Sequence, residues 1–184
     1  MLAALAAPLG LAAERVIAVD IDGVVHPVTA EIVGRAIDQA ARERAAALLI
    51  RLNTPGGLVE ATRQITEKIV ASPVMAPGTN TGAATPVLFG SEPDPVLRKK
   101  MNNDAAASLR SIVTKRGRNA ELAEKTVVES RSFTDKEALE NNLVEIVAAD
   151  ETDLFRQITA REFSRFGGER VRLRLENPRV IEYE

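Results

Sequence analysis

Residues 46–57 read AALLIRLNTPGG. Ala46 to Leu52 is a short apolar run with one charge, Arg51. Runs of that length and composition form buried β-strands. Asn53-Thr54-Pro55 breaks the run, and Gly56-Gly57 follows at once. Leu58, Ala61, Ile65 and Ile69 then recur at spacings of three and four, so a helix follows the glycines and stops before Pro73. A strand that turns through two glycines into a helix leaves backbone N–H groups unobstructed at the positive end of the helix dipole. Such a turn suits a phosphate or an oxyanion. It equally suits a tight connection that needs glycine for conformational reasons alone. No G-K-[ST] follows and G-x-G-x-x-G is absent, so neither the Walker loop nor the dinucleotide fingerprint applies.

Upstream, Val16 to Ile21 reads as another apolar, β-branched strand. Thr29 is placed to cap a helix from Ala30, with Ile32, Val33, Ala36, Ile37, Ala40 and Ala41 on one face. The β-α-β-α order predicts an α/β fold with a parallel sheet and right-handed crossovers. A third strand is due next. Instead Ser72-Pro73-Val74 runs straight into Met75 to Val87, a stretch rich in turn formers with room for one short strand.

Downstream, Asp94-Pro95 opens a long helix whose buried face is Met101, Ala105, Leu109, Ile112 and Val113, ended by Gly117. Asn119 caps a helix to about Glu129, and Thr134-Asp135-Lys136-Glu137 is a capping box. Leu143 to Val147 reads as a strand, and Asp150 begins a helix carrying Leu154, Phe155 and Ile158. Arg170 to Leu175 and Arg179 to Tyr183 alternate charged with apolar residues and read as a two-stranded ribbon.

Bulk composition narrows the function. The 184 residues suit one domain with a small appendage, and 45% hydrophobic with 27% charged residues is an ordinary globular mixture. The net charge of −2 gives no push toward nucleic acid. Aromatic residues are 3%, so the Arg-rich tail lacks stacking platforms and reads as a charged ribbon face. There is no cysteine, hence no thiol nucleophile or Cys-based metal site. His26, the single histidine, reads as a turn residue, and no metal or cofactor is implied. Residues 1–13 are uncharged, small and apolar and end in Leu11-Ala12-Ala13, like a signal-peptide core and cleavage site without the basic start. The other reading is a short helix packed on the domain. The division expected is therefore 1–13 export segment, 14–160 main domain and 161–184 ribbon.

Asp20-Ile21-Asp22-Gly23-Val24 resembles the opening motif of haloacid-dehalogenase-type phosphatases. That reading implies Asp20 as nucleophile and Asp22 as general acid, helped by Thr54 and by Asp150 and Glu151 near a magnesium ion. D-x-D is short, and strand ends are often acidic for solubility alone.

A longer resemblance covers roughly residues 15–160. Asn53-Thr54-Pro55-Gly56-Gly57 resembles the S-P-G-G or T-P-G-G loop of ClpP-type serine proteases and signal peptide peptidases. Gly23 to Ala30, Met75 to Val87, Gly117-Arg118-Asn119-Ala120 before Ala123-Glu124-Lys125, and Thr134 to Leu139 before Val144 fall in the same order. Together they resemble the membrane-bound ClpP-class proteases of the NfeD type, the stomatin operon partners. The resemblance implies a ClpP/crotonase-like spiral, a peptide or protein substrate, a homo-oligomer, a stomatin-type partner and a place at the membrane on its extracytoplasmic side. It implies oxyanion donors at Gly56 and Gly57. Fixed donors aimed at developing negative charge lower acyl-transfer barriers by about 3–4 kcal/mol each in other proteases.

The family also uses a Ser nucleophile and a Lys base, and here the chain departs from it. The serine belongs on a strand-loop-helix unit between the S-P-V and M-A-P-G-T stretches, where Val74 meets Met75 directly. One unit, on the order of 30 residues, is missing. The family's lysine position falls on Arg110, and a guanidinium stays protonated. Lys99 and Lys100 lie about three turns earlier and are substitute bases or a solvated face. Ser72, Ser91, Ser108 and Ser111 have no adjacent base in the sequence. The chain is therefore expected to be a family member inactive as written, or a non-catalytic oligomerising or binding domain, with marginal stability or dependence on self-association.

Overall fold

The computed structural model describes residues 14–68, 74–75, 78–86, 94–164 and 170–184. Residues 1–13, including the expected export segment, lie outside them, as do Ser72 and Ser91.

Strand β1, Arg15–Asp22, buries Val16, Ile17, Ala18, Val19 and Ile21. Helix α1, Pro27–Arg42, begins three residues before the point predicted from Thr29. Pro27 needs no N–H in the first turn, so His26 becomes the N-cap and Thr29 moves inside. Thr29 Oγ1 accepts the His26 N–H at 3.3 Å, so the residue still satisfies a free donor. Of the predicted apolar face, Val33 and Ala36 are fully buried and Ile32, Ile37 and Ala40 partly so, while Ala41 near the end of the helix is exposed.

Strand β2, Ala47–Asn53, pairs parallel with β1 from Val16↔Ala47 to Asp22↔Asn53. Helix α2, Val59–Lys68, then lies beside α1. The next strand, β3, Val74–Met75, does not join β2. It pairs parallel with β6, Ile146–Val147. Strand β4, Asn80–Gly82, is antiparallel to β5, Ser132–Thr134.

The long helix α3, Pro95–Lys115, is capped by Asp94, whose Oδ2 accepts the Leu97 N–H at 3.3 Å. It packs on α4, Ala120–Val128, which is capped by Asn119 Oδ1 on the Leu122 N–H at 3.0 Å. Of the face expected for α3 only Val113 is buried, joined by Ala106. The capping box opens α5, Asp135–Glu140, and Asp150 caps α6, Glu151–Thr159. Strand β7, Phe163–Ser164, pairs antiparallel with β8, Arg170–Val171.

The last strand, β9, Arg179–Glu182, corrects the ribbon expectation. It pairs with β1 in parallel and not with β8. The Arg179 and Tyr183 N–H groups donate to the Glu14 and Ala18 carbonyls at 2.8 and 2.7 Å. An apolar first strand has two edges to satisfy, and the C-terminal segment covers the one that β2 leaves open.

The main sheet therefore runs β2-β1-β9, all parallel, with helices on both faces. One face packs Val19 and Ile21 against Val33 and Ala36 of α1 and Ala61 of α2. The other packs Val16 and Leu49 against Phe155 and Ile158 of α6. A separate cluster around Phe133, Ala138 and Val144 holds α5 to β5. The mixed α/β class with parallel strands and flanking helices is as the sequence predicts.

Candidate active site

The glycine turn is stitched to the end of β1 by backbone hydrogen bonds. Gly23 N–H donates to the Asn53 carbonyl at 2.9 Å, and Val25 N–H to the Gly56 carbonyl at 2.9 Å. Leu58 N–H donates back to the Val25 carbonyl at 2.8 Å. Val25 and Gly57 thus form a one-residue parallel bridge. The residues flanking Gly57 make its bonds, so the N–H of Gly57 itself projects away from Val25. Gly57 is exposed, and among the described residues no acceptor meets that N–H.

Each glycine has its own steric reason. Gly56 has φ +111°, a backbone that side chains strain. A Cβ on Gly57 would fall on the Val25 carbonyl oxygen. The two amides differ in availability. Gly56 N–H donates to Thr54 Oγ1 at 3.0 Å, and the same hydroxyl donates to the Gly56 carbonyl at 3.1 Å. Sequence reasoning paired the two glycines as equal donors and missed this contact. A threonine two residues ahead of the amide was its signal, because such hydroxyls bond local backbone in turns. Apolar residues close in sequence to the two bridged positions are left exposed: Val24, Val28, Leu58 and Val59 are each at least 40% exposed.

The acidic residues at the strand ends have structural partners. Asp22 accepts from Asn53 Nδ2 at 2.9 Å. Asp20 meets Arg51 Nη1 at 3.0 Å, Glu182 meets the same nitrogen at 2.9 Å, and Glu151 meets Arg51 Nε at 2.5 Å. One guanidinium therefore ties β2 to β1, β9 and α6. These partners, Glu151 foremost and then Glu182, hold its pKa above the ordinary arginine value. Asp150 accepts the Asp153 N–H at 2.8 Å as a cap. All four acids of the phosphatase reading thus have structural partners: Asp20, Asp22 and Glu151 join elements, and Asp150 caps α6.

Arg110, at the family's lysine position, is exposed on α3 and forms a two-pronged pair with Glu124 of α4. Glu124 raises its pKa further, so this group holds its proton. Lys99 and Lys100 are exposed near the start of α3, and neither bonds to another described residue. Arg63 of α2 pairs with Asp104 of α3, a surface link between the helix of Lys100 and the helix that follows the glycine turn. No basic side chain bonds Ser108 or Ser111 among the described residues.

No family model matches the chain. The membrane-bound protease PH1510 of Pyrococcus horikoshii is 30% identical over 183 residues, covering 83% of this chain and 41% of that protein. The chain thus spans about two fifths of the length of the curated relative it matches. About 153 residues of this chain, 83% of 184, enter that alignment, so roughly 30 of its positions find no residue here. That is about the size of one strand-plus-helix unit.

Among solved structures, a serine-to-alanine mutant of a membrane-bound stomatin-specific protease superposes with TM-score 0.81 at 28% identity, covering 95% of this chain and 99% of that one. A lysine-to-alanine mutant of the same protease, in complex with a substrate peptide, gives 0.82 at 28% identity, covering 95% of this chain and 94% of that one. A further structure, of the membrane protease specific for a stomatin homologue from Pyrococcus horikoshii, gives 0.76 at 26% identity, covering 94% and 93%. The domain described here is of the membrane-bound protease class. The chain belongs to the NfeD-type membrane-bound protease family. Among the described residues no helix is long and apolar enough to cross a membrane.

Proposed function

We propose that this chain is a peptide-binding domain of a membrane-associated serine endopeptidase type that, as written, holds peptide without cleaving it. Gly57 N–H is the anion donor in this reading. The Gly56 N–H becomes a second donor when Thr54 turns its hydroxyl away. The observation that carries the reading is the exposed Gly57 amide, aimed off the Val25 bridge, with the exposed apolar residues Val24, Val28, Leu58 and Val59 near the bridged positions in sequence. An amide fixed at a helix entrance binds a carbonyl oxygen or a carboxylate, and apolar neighbours suit the side chains of an extended peptide.

The nucleophile is assigned to no residue of this chain. Ser108 and Ser111 have no bonded base, Arg110 holds its proton, and Val74 adjoins Met75 where the family carries its serine unit. Lys99 and Lys100 serve as part of a solvated face. The relatives' names extend the proposal to a peptide from a stomatin-type membrane protein. The extracytoplasmic side and a homo-oligomeric state complete the reading as what the family resemblance implies. The second reading is that the intact protein regains the missing unit and hydrolyses peptides.

A fluorophosphonate probe separates the two. The 184-residue chain is expected to stay unlabelled, while its Gly57 amide resonance moves on titration with apolar peptides ending in a free carboxylate. Labelling of this chain would show a working nucleophile and refute the non-cleaving reading. An unmoved Gly57 resonance would remove the peptide site itself.

A further inference from the structure

Strand β2 has one edge bonded to β1, and among the described residues its other edge has no partner strand. A right-handed crossover through α2 should return a parallel strand to that edge. The chain instead reaches β3, which pairs with β6. The open edge therefore lies where the absent strand-plus-helix unit would have been laid down. Asn53 directs its carbonyl at Gly23 of the β1 side, and the alternation of backbone direction assigns Arg51, Leu49 and Ala47 to the same side. Leu48, Ile50 and Leu52 consequently present their N–H and C=O groups outward. Leu52 is 67% exposed although it sits opposite Ile21, which is 5% exposed.

We propose that two copies of this chain join along this edge, β2 antiparallel to β2, with the twofold axis at Ile50. In that register Ile50 faces Ile50 of the partner copy, and Leu48 faces the partner's Leu52. These are the residues with outward backbone groups, so every facing pair exchanges two hydrogen bonds, six in all by ordinary antiparallel geometry. Their side chains form one apolar stripe that covers Leu52 in both copies. On the opposite face Arg51 lies across from Leu49, so no like charges meet. The Arg51 charge is already held by Asp20, Glu151 and Glu182 of its own copy. The edge also lacks the lysine, proline or bulge with which natural sheets block such pairing. A second copy is the occupant selected because the strand is complementary to itself in both backbone direction and side-chain spacing. The proposal rests on the fold alone and holds whether or not the chain binds peptide.

Sedimentation velocity over a concentration series tests it, with three variants. The wild type is expected to be a dimer at micromolar concentration, and Leu52→Lys a monomer with an unchanged circular-dichroism spectrum. The chain has no cysteine, so single thiols report the register. Ile50→Cys should oxidise to a covalent dimer, because directly opposed residues lie about 5.5 Å apart between Cα atoms, within disulfide reach. Leu52→Cys should not, because its own copies stand about four residues apart along the strand, roughly 13 Å. A monomeric wild type, a dimer that survives Leu52→Lys, or cross-linking of Leu52→Cys as readily as Ile50→Cys would overturn the proposal. Should Leu52→Lys fail to fold, the cysteine pair still decides.

Discussion

A methyl group at position 57 would lie 2.0 Å from the Val25 carbonyl oxygen, so Gly57→Ala must push the segment that follows β1 away from the α2 entrance. The cost should be about 1–3 kcal/mol, the range for overpacking against a neighbour that cannot rotate aside. A fall in the thermal midpoint is the readout, and the Gly57 response to carboxylate-ended peptides should vanish with it. An alanine that melts like wild type would mean that the bridge is dispensable. Gly56 is a different case. Its positive φ makes glycine necessary, but its N–H is already taken by Thr54, which leaves Gly57 as the free donor of the proposed peptide site.

Helix termini carry the clearest chemistry at the scale of elements. Glu137 closes the capping box of α5: its Oε2 accepts the Thr134 N–H at 3.0 Å, while Thr134 Oγ1 accepts the Glu137 N–H at 3.2 Å. The Thr134 backbone bond, followed by the hydroxyl bond, holds the Glu137 carboxyl below the usual glutamate range. A depressed carboxyl pKa stabilises the fold above the unfolded value, about 4.3, and that stabilisation is lost as pH falls through the folded-state value. Glu137→Gln should therefore melt lower than wild type at neutral pH, with the difference closing in acid. Thermal melts from pH 7 down to pH 3 check this, and a difference that stays constant would show that ionisation plays no part. The same scale explains where α1 begins. Pro27 and the β-region backbone of His26 outrank Thr29 as a start signal, since proline is tolerated only where no N–H is required.

At the scale of the whole molecule, Arg51 is the side chain that joins the most elements among the described residues. It contacts Asp20 of β1, Glu182 of β9 and Glu151 of α6 from its place on β2. Arg51→Met should lower stability by about 1–2 kcal/mol, a figure that allows for solvent screening of partly exposed carboxylates. The loss should shrink in high salt, and denaturant melts at two ionic strengths measure it. The apolar core is divided among several small clusters, and among the described residues one edge of β2 has no partner strand, which is the physical basis for expecting self-association.

Local rules made much of this chain readable from its residues. The apolar runs of β1 and β2, the face of α1, the caps at Asp94, Asn119, Thr134 and Asp150, and the glycine turn all depend on neighbours a few positions away. The break at Val74-Met75 was visible for the same reason, as an interruption of a β-α-β-α rhythm. Pairing between distant segments was not readable. Charged-apolar alternation in Arg179–Glu182 identifies a strand but not its partner, and only the packed chain sets it against β1. The reach of Arg51 to Glu151 and Glu182 likewise spans 100 and 131 positions. Strand formation is decided by local dihedral and side-chain preferences; which edges meet is decided by the burial that the assembled fold makes possible.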